Sequence, residues 1–347
     1  MVLARDAILA GTLLDPDFVT ILAQGSSPPF PSDIDIPALR VLTNEAKSKA
    51  RSAQGPHPDI IERDITIPTR DGASILAHVY YPAHPAAGRS TTLPVFVFFH
   101  GGGFCIGSRH DDFESNRAIA LRNNVVVISP EYRLAPEHPF PTAVYDGLDT
   151  LQWVAANVHL IHPSASIPAG LIIGGTSSGG NIANAVLYLN RDQENVVPVT
   201  GQFLSVAPLL PWPVLPEKYR KAYTSAEENR AYAIPPPEMV RSFLSAYKPD
   251  IYSPLMVPFN HPRGHVGIPP TYFQVCGLDT LRDETLIYEQ VLREENSIPT
   301  RLDYYPGLPH HFWEFFPQLT KHVKRRTDDT VEGVKWLLEA GVEMRAG

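Results

Sequence analysis

Val95-Phe96-Val97-Phe98-Phe99 is a run of five apolar residues without a polar interruption, and it leads directly into His100-Gly101-Gly102-Gly103. A strand with one wet face alternates apolar and polar side chains, so a run like this needs cover on both faces. Val125-Val126-Val127-Ile128, Leu171-Ile172-Ile173, Phe203 to Val206 and Tyr272 to Cys276 repeat the pattern. Between them Val144, Leu148, Leu151 and Val154 keep helical spacing, as do Ile182, Ala185 and Leu189. Alternating buried strands and helices predict an α/β fold, with a mostly parallel central sheet and helices on both faces.

The flanks depart from this rhythm. Residues 1 to about 55 carry no strand signal and read as helical pieces broken by the loop Ser26-Ser27-Pro28-Pro29-Phe30-Pro31. From Arg63 the chain turns β-rich, and Ile65 to Pro68 and Ser74 to Tyr81 flank the hairpin signal Arg70-Asp71-Gly72. Leu209 to about Asp250 contains Pro211, Pro213, Pro216, Pro235, Pro236 and Pro237, too many to continue a sheet. The expected organisation is a set of N-terminal cap helices over residues 1–55 and a main domain over 56–347. A cap insertion at about 209–250 would cover the sheet edge where such folds bind ligands.

Composition narrows the function classes. With 29 Lys and Arg against 37 Asp and Glu, the net charge is −8, which argues against nucleic acid or an anionic membrane as the main partner. The apolar stretch Ala7 to Leu14 is too short for a membrane span and lacks a small-residue cleavage signal. A soluble, cytoplasmic protein is expected. Its two cysteines, Cys105 and Cys276, make no disulfide framework and read as buried thiols. No Cys/His cluster has zinc spacing, so neither a metal nor a cofactor is expected.

Two motifs carry chemistry. Gly175-Thr176-Ser177-Ser178-Gly179 follows the run Leu171-Ile172-Ile173 and precedes an Ile182/Ala185 helix. A G-x-S-x-G between strand and helix is the signature of a nucleophile elbow, a sharp turn that aims the serine oxygen out of the sheet. The glycine run after His100 is costly in backbone entropy, and it makes sense where bare N–H groups must approach developing negative charge.

With Tyr132-Arg133-Leu134-Ala135-Pro136-Glu137-His138, Asp279-Thr280-Leu281-Arg282-Asp283-Glu284 and Gly307-Leu308-Pro309-His310, these motifs resemble the hormone-sensitive-lipase-like branch of the α/β-hydrolases. The resemblance covers roughly Arg63 to the C-terminus. It implies an α/β-hydrolase fold with a helical cap, nucleophile Ser177, acid Asp279, base His310, and oxyanion donors from the backbone of Gly102, Gly103 and Ser178. The segments Gly174 to Asn181 and Pro306 to Trp313 look similar to fungal members of this branch, several of which act in secondary-metabolite pathways. Thr176, Ser178, Thr280 and His311 depart from the branch's commonest pattern, which has Asp, Ala, Pro and Gly there.

Residue context bears on these roles. His310 follows the strand-like run Arg301 to Tyr305 and a loop, the place a base must occupy to reach the serine. Asp279 follows a strand by the turn Gly277-Leu278, whereas Asp283 and Glu284 read as a helix start. His100 is expected to pin the glycine loop, His138 to be structural, and Arg133 and Glu137 to lock a turn by ion pairing. Phe104, Trp212, His311 and Phe312 are candidate pocket residues, with Phe243 and Trp313 as further aromatic candidates. The expected activity is hydrolysis of short-acyl carboxylic esters of small or secondary-metabolite alcohols through an acyl-enzyme. A lyase or cyclase, or a ligand-binding protein on the same fold, is the alternative. The oligomeric state stays open, a homodimer included.

Overall fold

The computed structural model describes residues 13–25, 35–84 and 92–346. Most of the Ala7–Leu14 stretch and the Ser26–Pro31 loop lie outside them. Eight strands form one sheet: β1 (Ile60–Pro68), β2 (Ser74–Pro82), β3 (Val95–Phe99), β4 (Val126–Pro130), β5 (Leu171–Thr176), β6 (Gly201–Ser205), β7 (Thr271–Cys276) and β8 (Thr300–Tyr305). Their spatial order is β1-β2-β4-β3-β5-β6-β7-β8. β1, β2 and β4 pair antiparallel, and every pairing from β4 through β3 to β8 is parallel.

The helices are α1 (Pro16–Ala23), α2 (Ile36–Gln54), α3 (Phe113–Asn123), α4 (Thr142–Ile161), α5 (Ser178–Arg191), α6 (Ser225–Glu228), α7 (Pro237–Tyr247), α8 (Arg282–Gln290), α9 (Phe312–Phe315) and α10 (Thr320–Ala346). Every side chain of β3 is fully buried, and successive ones enter opposite cores. Val95, Val97 and Phe99 join Leu148 and Leu151 of α4 and Ile182 and Ala185 of α5. Phe96 and Phe98 join Ile119 of α3 and Val334 and Leu337 of α10. The expected covering of both faces is present.

β3 is flanked by β4 on one side and β5 on the other, so the chain reverses its direction of travel across the sheet at this strand. Open α/β sheets bind ligands at such a switch point, beyond the carboxyl ends of the strands. The glycine run after β3 and the serine after β5 therefore emerge side by side. Residues 209–250 fold into short 3-10 turns, α6 and α7 rather than sheet. β1 starts at Ile60, five residues before the predicted run, because its hairpin pairing with β2 extends to Ile60 opposite Pro82.

Candidate active site

Ser177 stands where β5 turns into α5, with φ +53° and ψ −123°. A non-glycine residue rarely adopts this backbone, and it persists here because the neighbours fix it. The Ser177 N–H donates to Ser205 O at the end of β6 (2.8 Å), and Ser177 O accepts from the Asn181 N–H (3.2 Å). A methyl group on Gly179 would come within 2.1 Å of Phe99 O and 2.3 Å of His100 O, so the elbow can form only with a bare backbone there.

Phe99 lies opposite Gly175 in the β3–β5 register, which sets the glycine run beside the serine. A side chain on Gly102 (φ +122°) would meet Ile106 O at 2.1 Å. Among the described residues, no hydrogen bond engages the N–H of Gly102 or Gly103. Ser178 opens α5, where backbone N–H groups have no intrahelical partner. His100 braces this loop as expected: it bonds Gly101 O through Nδ1 (2.7 Å) and stacks on Tyr132 at 4.3 Å. The Tyr132 hydroxyl donates to His100 O (2.8 Å). Burial lowers the His100 pKa.

The third part of the site comes from the paired ends of β7 and β8. The Gly277 N–H donates to Tyr305 O (2.8 Å) and the Leu278 N–H to Leu308 O (3.0 Å), so the two loops are held to one another. They bring Asp279 and His310 together. His310 Nδ1 lies 2.6 Å from Asp279 Oδ2, and His310 Nε2 lies 3.1 Å from Ser177 Oγ. The other Asp279 oxygen accepts from the Leu281 N–H (2.9 Å). Asn229 donates to Gly277 O (3.1 Å) and Asp279 O (2.8 Å), fixing the turn that carries Asp279 from within residues 209–250. His310, Asp279 and Ser178 are all buried.

Asp283 and Glu284 have other partners. Asp283 Oδ2 accepts from the N–H groups of Thr224 (2.6 Å) and Ser225 (2.7 Å), and Oδ1 accepts from Arg282 (2.7 Å). It sits in the first turn of its own helix, as expected, but its Oδ2 bonds the start of α6. Glu284 accepts from the Leu209 and Leu210 N–H groups (2.8 and 2.7 Å) and from the Tyr223 hydroxyl (2.8 Å). Burial pushes its pKa up.

The candidate pocket residues fare unequally. Phe104 is buried and stacks on Tyr247 of α7 at 4.0 Å. The Phe243 ring of α7 packs on Gly103. Trp212 is 48% exposed and meets Tyr223 edge-on at 5.6 Å. Phe312 has no exposed surface. Its ring packs on Tyr305 and Trp313 in the cluster holding Phe18 and Ile21 of α1, so it is core rather than pocket wall. His311 (φ +53°) is buried, with Cε1 beside Gly101 and Nε2 3.9 Å from Asp112 Oδ1. Burial would raise the Asp112 carboxyl, but His311 and the nearby Arg326 and Lys47 outweigh it and hold it down at about 2. Asp112 escaped the sequence reading because no local spacing links it to the base loop.

Arg133 and Glu137 do lock their turn. Arg133 pairs with the buried Asp146 (2.6 Å) and Glu137 with Arg40 (2.8 Å). Cys105 and Cys276 are buried free thiols. Two clusters of ligand-type side chains occur among the described residues, Asp64/His78/His110 and Asp15/Asp17/His322. In the first, His78 already bridges Asp64 and Glu62, Arg109 bonds Asp64, and Arg51 bonds His110. In the second, Asp15 caps α1 and His322 lies between the two carboxylates. In both, the ligand-type atoms already face protein partners. No helix among the described residues is long and apolar enough to cross a membrane.

Comparison with known proteins agrees with this architecture. Residues 96–314 match the family described as alpha/beta hydrolase fold. The chain is 34% identical over 330 residues to an AB hydrolase superfamily protein of Schizosaccharomyces pombe, covering 94% of both. It is 30% identical to the versiconal hemiacetal acetate esterase of Aspergillus parasiticus, over 74% of this chain and 78% of that protein. The crystal structure of vibralactone cyclase superposes with a TM-score of 0.83 at 30% identity, covering 96% of this chain and 97% of the other. The chain belongs to the α/β-hydrolase family, in the hormone-sensitive-lipase-like branch of carboxylesterases.

Proposed function

We propose that the protein hydrolyses short-acyl carboxylic esters through an acyl-enzyme on Ser177. What carries the proposal is the continuous chain from Ser177 Oγ to His310 Nε2 (3.1 Å) and from His310 Nδ1 to Asp279 Oδ2 (2.6 Å). His310 takes the serine proton as Oγ attacks the ester carbonyl, and Asp279 holds the imidazole in the tautomer that can accept it. The oxyanion forms against the N–H groups of Gly102, Gly103 and Ser178, and His310 then protonates the departing alcohol. Water repeats the sequence on the acyl-enzyme and releases the acid. The N-terminal helices and residues 209–250 act as the cap, with Phe104 and Trp212 toward the acyl side. The acetate ester in the Aspergillus parasiticus relative's name supports a short acyl group.

The test is hydrolysis of p-nitrophenyl acetate. Ser177→Ala is expected to abolish it without loss of fold, because the hydroxyl is the sole nucleophile in the scheme. Retention of more than a few per cent of kcat would overturn the assignment. Similarity to vibralactone cyclase supports a second reading, ring closure in the same pocket. An enzyme of that kind would react with an organophosphate at Ser177 yet leave simple esters untouched.

A further inference from the structure

Helix α2 is attached to the molecule in an unusual way. Of its 19 residues, Ile36 is the one buried residue, so apolar packing holds it only at its first turn. Arg40, Lys47, Arg51 and Gln54 recur at helical spacing and form one polar stripe. Arg40 donates to Cys105 O (2.9 Å) and Ala135 O (2.7 Å), Arg51 bonds His110 Nδ1 (2.8 Å), and Gln54 bonds Glu114. These partners lie mainly along residues 105–114, directly after the oxyanion glycines. Lys47 alone in the stripe also reaches the base loop: Nζ lies 2.5 Å from Asp111 Oδ2 and 2.8 Å from Glu314 Oε1.

Both carboxylates are coupled to the site. Asp111 is tied back by its N–H to Ser108 O (3.0 Å), next to Gly107. Gly107 presses so closely on the loop before it that a methyl there would meet His100 Nδ1 at 2.5 Å and Gly101 O at 2.7 Å. On the other side the Glu314 N–H donates to His311 O (3.0 Å), one turn from the base. Burial works against a charged Lys47, but the two carboxylates outweigh it and its pKa is raised. The ammonium therefore offsets the repulsion between two carboxylates belonging to different loops.

We propose that Lys47 is a positioning residue: its ammonium sets the distance between the oxyanion loop and the loop carrying His310. This rests on the Ser177–His310–Asp279 reading. A misplacement of about 1 Å between such groups can cost roughly 100-fold in rate.

The experiment compares Lys47→Met, Lys47→Arg, Glu314→Gln and Arg51→Met in the full chain, by p-nitrophenyl acetate kinetics and by the low-field proton resonance of the His310 imidazole. Lys47→Met is expected to lower kcat by roughly 10- to 100-fold with KM unchanged and to shift the resonance. Lys47→Arg should recover most of kcat. Arg51→Met, which holds the same helix but misses the base loop, should keep both kcat and the resonance. A Lys47→Met enzyme with normal kcat and resonance but a lower melting temperature would overturn the proposal, as would a rise in KM alone. If Lys47→Met does not fold, Glu314→Gln breaks only the base-loop arm and is read by the same two measures. A wild-type chain inactive on the ester would instead count against the Ser177 reading, and the resonance would still decide the role of Lys47.

Discussion

His310 and His311 share a loop but face different carboxylates, and that separates their roles. His310 joins Asp279 to Ser177, whereas His311 Nε2 points at Asp112. His310→Ala is therefore expected to approach the loss caused by Ser177→Ala, and the double variant should be no worse, because members of a triad act as a unit. His311→Ala should retain most of kcat and lower the melting temperature. Kinetics and melts on the three variants check this, and a lethal His311→Ala would exchange the two roles. The same separation applies to the acids. Asp279→Asn should reduce kcat about 10⁴-fold by favouring the wrong imidazole tautomer. Asp283→Asn should leave chemistry nearly intact and cost stability on the order of 3 kcal/mol, since it breaks the buried pair with Arg282. Urea unfolding beside kinetics distinguishes them, and the reverse pattern would make Asp283 the acid.

At the scale of elements, α7 packs over the glycine run of the proposed site. Its Phe243 packs on Gly103 and its Tyr247 on Phe104, so the glycine run is roofed by aromatic rings. An open groove would gain about 0.8 kcal/mol per buried CH₂ of a longer acyl chain, but a roofed pocket meets steric cost instead. kcat/KM for p-nitrophenyl esters is expected to peak between acetate and about hexanoate; a steady rise through decanoate would show that α7 does not close the pocket. The sheet elements were legible because uninterrupted apolar runs admit few alternatives: Val95 to Phe99 coincides with β3 to the residue. The first half of β1 was not legible, since Glu62, Arg63 and Asp64 mask it. Those side chains find partners in Arg117, in the Leu160 and Ile161 carbonyls, and in His78 and Arg109, all distant in sequence or on another strand. The elbow and the glycine run were readable because local sterics demand glycine. The work of α2 was hidden because its partners lie on other loops.

Across the whole molecule, acid stability depends on clusters such as the one between β1, β2 and α3. Burial alone would raise the Glu62 carboxyl, but His78 and Arg117 outweigh it and hold it down at about 2, below its ordinary 4.5. A carboxylate depressed in the folded state contributes stability above its unfolded pKa and loses it as pH falls toward the folded one. The melting temperature should therefore fall between about pH 4.5 and 2, and Glu62→Gln should start lower at neutral pH and fall less steeply. Parallel curves for the two proteins would remove Glu62 from the account.

The packing of α1 also has a consequence for the order of events in synthesis. Phe18 and Ile21 of α1 bury against Leu308 and Phe312, and Asp17 meets His322, 305 positions later in the chain. An eight-residue helix is not stable alone in water. Ribosomes add roughly 5–20 residues per second, so α1 and its apolar side chains wait tens of seconds for the segment that shelters them. Helix α1 is therefore among the last of the described elements to dock, because its shelter lies between Leu308 and His322.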